Sequence, residues 1–116
     1  MPRNADADRP TKRSRPSRTT LADGLAGNLE PGSRTFEWVR AVADRVVMVG
    51  ESAIARAMRG LVRHDRLVVE GAGAVGVAAL LSPGLGLDLT GRRVGIILSG
   101  RNVDADVLAR VMDAAP

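Results

Sequence analysis

Two stretches of this sequence hold residues at a spacing that chemistry can use. Gly71-Ala72-Gly73-Ala74-Val75-Gly76 is a literal G-x-G-x-x-G run that opens a helical pattern. In dinucleotide-binding folds such a run brings backbone amides up to a pyrophosphate at a helix N-terminus. The surroundings argue against that use. Leu67 to Val69 is too short for the strand that must precede the run, and the next apolar run ends at Ser99, where a ribose would need a carboxylate. The second stretch, Leu98-Ser99-Gly100-Arg101-Asn102-Val103-Asp104, lies where a strand pattern gives way to a helix. Ligands collect at such junctions in open α/β sheets. Ser99 and Asn102 offer a hydroxyl and an amide beside an uncrowded glycine, although capping of the next helix by Asn102 or Asp104 is the simpler account of these residues alone.

Other chemistries find little support. The chain has no cysteine, which removes disulfides, thiolate metal sites and a cysteine nucleophile. Its one histidine, His64, closes a helical pattern without partners for a metal site or a triad. The net charge of +4 suggests a nucleic-acid partner at first sight. It resides in residues 1–18, however, where six basic residues face two acidic ones, and residues 19–116 are neutral with 11 of each. No nucleic-acid partner is expected. Nor is a membrane, since no apolar run approaches the roughly 18 residues that span a bilayer. A soluble, cytoplasmic protein is the expectation.

The elements that must position these groups begin after residue 18. Residues 1–18 contain three prolines and no large apolar residue after Met1, and they read as a disordered basic tail. Thr35 then caps a helix with Phe36, Val39 and Val42/Ala43 on one face, and Trp38 beside that face is expected to be partly buried. Arg45 to Val49 reads as a short strand, and Glu51 to His64 as an amphipathic helix with Ile54, Ala57/Met58 and Leu61/Val62 at helical spacing. A second helix of small residues runs from about Glu70 to Leu81. Arg93 to Leu98 reads as a buried strand, and Asp104 sits in the first turn of a last helix built on Val107, Leu108 and Val111/Met112. Alternating helices and strands predict an α/β fold with a parallel sheet, here only a partial one.

Four motifs in order, Thr20-Leu21-Ala22-Asp23-Gly24, Thr35-Phe36-Glu37, Glu70-Gly71-Ala72-Gly73-Ala74 and the Leu98 to Asp104 loop, give the chain a family likeness over residues 19–113. It resembles the C-terminal region of the fold-type II pyridoxal-phosphate (PLP) enzymes, specifically threonine ammonia-lyases (threonine dehydratases) and the related serine dehydratases and serine racemases. The resemblance implies part of the three-layer parallel sheet of the tryptophan synthase beta-like fold. It implies PLP as cofactor, with Ser99 hydrogen-bonded to the pyridine nitrogen, Gly24 against the ring, and Gly100, Asn102 and Glu70 around the pocket. For Glu70 the helix dipole alone is an equal explanation. Arg101 departs from the family by standing where a second glycine is usual, and it is expected to strain the turn or cover part of the pocket.

In such enzymes a lysine holds PLP as a Schiff base and a glycine-rich loop cradles its phosphate, both placed well before the A-D-G motif. This sequence has a single lysine, Lys12, and no such loop. The resemblance therefore implies a C-terminal part of a dehydratase that converts threonine or serine to a 2-oxo acid and ammonia, within amino-acid metabolism such as isoleucine biosynthesis. No catalytic residue and no metal ligand is expected in this part, which is expected to be inactive alone. Its partners would be the small amino-acid substrate in the intact enzyme and a separately encoded N-terminal part or further copies of itself. The alternatives are a docking subunit of a split enzyme, a regulatory pseudo-domain or, further off, a dinucleotide-binding module.

Overall fold

The computed structural model describes residues 19–27 and 30–114. The expected basic tail, residues 1–18, lies outside them. Four helices carry the fold: α1 (Arg34–Val42), α2 (Glu51–Gly60), α3 (Gly71–Leu80) and α4 (Ala105–Asp113). A 3₁₀ turn, Asp23–Leu25, precedes them, and a π turn, Leu61–Asp65, prolongs α2.

The core forms where α2 meets α3, with α4 added at the end of α2. Ile54, Ala57, Met58 and Leu61 recur on one face of α2, as their spacing predicts, and all are buried. Opposite them, α3 contributes Ala74 and Ala78. Because both helices put alanine at the contact, their backbones come close and little side-chain volume is needed. Met58 is the one large side chain that is fully buried among the described residues. Val111 closes the core from α4. Arg59 is also buried, and its guanidinium donates to the Val111 carbonyl at 3.0 Å, which supplies a cation and a donor to the C-terminal end of α4.

Four expectations change. Ser33 rather than Thr35 occupies the cap position of α1, and no residue of that helix is buried; Trp38 is 72% exposed. Its apolar face has nothing among the described residues to pack on. Asp104 is the residue before α4 rather than part of its first turn. Finally, neither 45–49 nor 93–98 pairs into a strand, and the described residues contain no sheet, so the partial parallel sheet is not confirmed. A strand needs a neighbour to accept and donate its ladder bonds, and neither run has one here. What persists is sidedness. Val49 and Ile96 pack inward against α2 and α3, whereas Met48 and Ile97 are 84% and 87% exposed. Apolar residues on both sides are the pattern of a layer covered on two faces.

Gly60 has helical angles, φ −59° and ψ −48°, and open space where a Cβ would stand. Gly60→Ala should therefore raise the unfolding free energy by about 0.4–1 kcal/mol, by narrowing the unfolded ensemble. Met58→Ala should lower it by about 2–5 kcal/mol through a cavity in the α2–α3 contact. Urea titration followed by far-ultraviolet circular dichroism measures both.

Candidate functional site

The residues singled out in the sequence converge on the first turn of α3. Glu70 occupies its cap position in an extended conformation, φ −68° and ψ 160°. Its N–H donates to the Gly100 carbonyl at 3.2 Å, and its own carbonyl accepts the Ala74 N–H at 3.0 Å. The Glu70 carboxylate lies over Gly100, where a Cβ would overlap it. Gly100 also has φ 75°, a left-handed conformation that side chains disfavour. The positive φ is what favours glycine at that position, since the flexible Glu70 carboxylate could move aside for a Cβ.

Gly71 and Gly73 explain how two loops reach the same turn. A Cβ at Gly71 would collide with the Leu21 carbonyl, and one at Gly73 with the Ser99 carbonyl. Gly76 makes room for Ile96, whose Cγ2 would be 2.7 Å from an added Cβ. The three glycines of the G-x-G-x-x-G run are therefore filled by this chain's own backbone and side chains. They leave no cradle for a pyrophosphate, which removes the basis of the dinucleotide reading.

The loop that carries Gly24 comes to the same place from the other end of the sequence. Gly24 lies against Ala72, with 3.2 Å between an added Cβ and the Ala72 Cβ. The Asp23 carboxylate accepts the Gly24 N–H at 2.7 Å, and Leu25 N–H closes a turn onto the Ala22 carbonyl at 2.9 Å. Gly24, Ser99 and Gly100 are exposed and Glu70 is half-buried. The structure thus brings Gly24, Glu70, Ser99 and Gly100 together around the start of α3. Asn102 is not drawn into this cluster; it is exposed on the run to α4, where the Val103 N–H donates to the Arg101 carbonyl at 3.0 Å.

Arg101 does not strain the turn. Arg66 is the one non-glycine residue with positive φ among the described residues, so the left-handed conformation of the loop falls on Gly100 and not on its neighbour. The arginine instead lines a cleft of about 270 Å³ together with Arg66, Val69, Leu98 and Gly100. A residue that the sequence reading did not single out, Glu51, also reaches the site, since its carboxylate accepts the Thr20 hydroxyl and the Leu21 N–H. Its only signal was a carboxylate at the start of a helix, an ordinary feature.

Two helix-borne glycines carrying two loops, with a serine and a glycine left open at the surface, match the motif order read in the sequence. The family model described as pyridoxal-phosphate dependent enzyme matches residues 1–100. The chain belongs to this family. Its members depend on PLP and have the fold-type II architecture. Among curated relatives, the L-threonine ammonia-lyase of Thermotoga maritima is 45% identical over 94 residues, covering 81% of this chain and 22% of the relative. The L-threonine ammonia-lyase of Geobacter sulfurreducens is 44% identical over 98 residues, 84% of this chain and 24% of the relative. The catabolic L-threonine dehydratase TdcB of Escherichia coli K12 is 39% identical over 92 residues, 79% of this chain and 28% of the relative. The chain thus spans about a quarter of the length of the relatives it matches. No helix among the described residues is long and apolar enough to cross a membrane, and no group of three or more metal-ligating side chains occurs among them.

Gly73→Ala forces either α3 or the Ser99 loop to move. It should cost about 1–3 kcal/mol, the usual penalty for overpacking. Gly95, with open space around it, is the control, and Gly95→Ala should stay within about 0.5 kcal/mol. Thermal unfolding of the two variants, with amide chemical shifts of residues 98–101, distinguishes a displaced loop from a general loss of stability.

Proposed function

We propose that this chain supplies the pyridine-ring side of a PLP site in a dehydratase that deaminates threonine or serine to a 2-oxo acid and ammonia. The observation that carries the reading is the exposed Ser99, on a loop whose backbone is seated on Gly73, with the exposed Gly24 on a second loop that meets the same helix turn at Ala72. These residues suit a flat ring. Gly24 and Gly100 are both exposed, and the Ser99 hydroxyl can donate to an unprotonated ring nitrogen without adding a charge. Glu70 fixes the Ser99 loop through its N–H to the Gly100 carbonyl.

When bound, PLP supplies an electron sink for the charge left on the substrate's α-carbon. The Ser99 hydroxyl orients the ring and keeps its nitrogen neutral, which sets how strongly it draws electrons. The amine that carries the cofactor and the residues that hold its phosphate come, in this reading, from another stretch of polypeptide. Support comes from composition: the 116 residues hold a single lysine, Lys12, which precedes the Asp23-Gly24 motif by only about ten residues, and no separate glycine-rich phosphate loop. The partner in this reading is whatever stretch of polypeptide carries the cofactor-binding lysine and the phosphate loop. In this reading, the described residues do not complete a catalytic site without that stretch.

A hybrid enzyme tests the proposal. Residues 19–114 replace the matching segment of the Thermotoga maritima L-threonine ammonia-lyase, and uptake of PLP and release of 2-oxo acid from threonine and serine are measured. The hybrid should take up PLP and deaminate at least one of the two. Ser99→Ala should raise the PLP dissociation constant about fivefold, the worth of one hydrogen bond of about 1 kcal/mol. A hybrid that is active and indifferent to Ser99→Ala reduces Ser99 to a loop residue.

A further inference from the structure

Glu51 opens α2, and both of its carboxylate oxygens are engaged by a segment some thirty residues earlier. The Thr20 hydroxyl donates to Oε1, and the Leu21 N–H donates to Oε2 at 2.8 Å. The Thr20 oxygen in turn accepts the Ala22 N–H at 3.1 Å. The next residues form the turn that carries Asp23 and Gly24. On its other side the same segment rests on α3, where Gly71 admits the Leu21 carbonyl. The A-D-G loop is thus held between a carboxylate on one helix and a missing Cβ on another.

We propose that Glu51 is a positioning residue for the Gly24 side of the cofactor site, acting through Thr20 and Leu21 on the placement of Gly24. The inference rests on the reading of the site given above. A carboxylate in the first turn of a helix also interacts favourably with the helix dipole, so position alone does not separate the two roles. Reach does. Glu51→Asp keeps the charge at the start of α2 but shortens the side chain by one carbon–carbon bond, about 1.5 Å, which takes the carboxylate out of range of Thr20 and Leu21. Glu51→Gln keeps the length, and its amide can still accept from Leu21 and donate to Thr20.

The test uses amide hydrogen exchange in the full 116-residue chain together with PLP retention in the hybrid enzyme. Glu51→Asp should speed exchange at Leu21 about fivefold relative to amides of α2, in line with the loss of a hydrogen bond, and should raise the PLP dissociation constant of the hybrid by a similar factor. Glu51→Gln should restore most of both. Unchanged exchange at Leu21 in Glu51→Asp overturns the clamp. Faster exchange with unaltered PLP retention overturns the positioning role and leaves a purely structural contact. A parent hybrid that takes up no PLP overturns the reading of the site itself, an outcome that no Glu51 variant can imitate.

Discussion

The structure turns on the absence of two Cβ atoms. Gly71 and Gly73 let the main chain at Leu21 and at Ser99 lie directly on the first turn of α3, closer than any side chain allows. Glycine in a helix costs roughly 0.5–1 kcal/mol relative to alanine, so two of them in one turn oppose helix formation locally. Burial offsets that cost. Ala74 and Ala78 on the same helix are fully covered by α2, and the helix is held by packing more than by propensity. Close approach then places two loops, far apart in sequence, around one helix turn, each with a solvent-exposed glycine, Gly24 and Gly100.

Much of this was legible in the sequence, and what was not has physical causes. The second and third helices were read to within a few residues because apolar spacing on α2 and the Ser82-Pro83-Gly84 stop after α3 are strong local signals. The glycine run was visible, but its role was not, since a Gly that admits a pyrophosphate and a Gly that admits a neighbouring carbonyl look identical in one dimension. Strands at 45–49 and 93–98 were expected from apolar composition, yet strand structure is a property of pairs, and composition says nothing about whether a neighbour is present. The apolar face of α1 was likewise read correctly as a pattern while its burial depends on what packs there. Arg101 was expected to strain its loop or cover part of the pocket because the residue type is unusual for the motif; the backbone places the left-handed conformation one residue earlier, on Gly100, and Arg101 lines a cleft beside it.

The same physical arrangement gives the family relationship its content at the level of residues. Members of the pyridoxal-phosphate dependent family share the cofactor's chemistry, and the protein's part is to place groups around it. Loops often carry such groups and a rigid scaffold holds them. Here the scaffold is α3 with α2 behind it, and the loops are tied at several points: Glu70 to Gly100, Ser99 on Gly73, Leu21 on Gly71, and Thr20 and Leu21 to Glu51. In the proposed site, a hydroxyl that is to meet a ring nitrogen within hydrogen-bond distance would need that degree of fixation.

The most direct measurement of the central claim is the nitrogen-15 resonance of pyridine-labelled PLP bound to the hybrid enzyme. The expected signal lies in the range of an unprotonated, hydrogen-bonded pyridine and moves toward that of a free pyridine when Ser99 is replaced by alanine. A protonated ring, or a resonance that Ser99→Ala leaves in place, would contradict it.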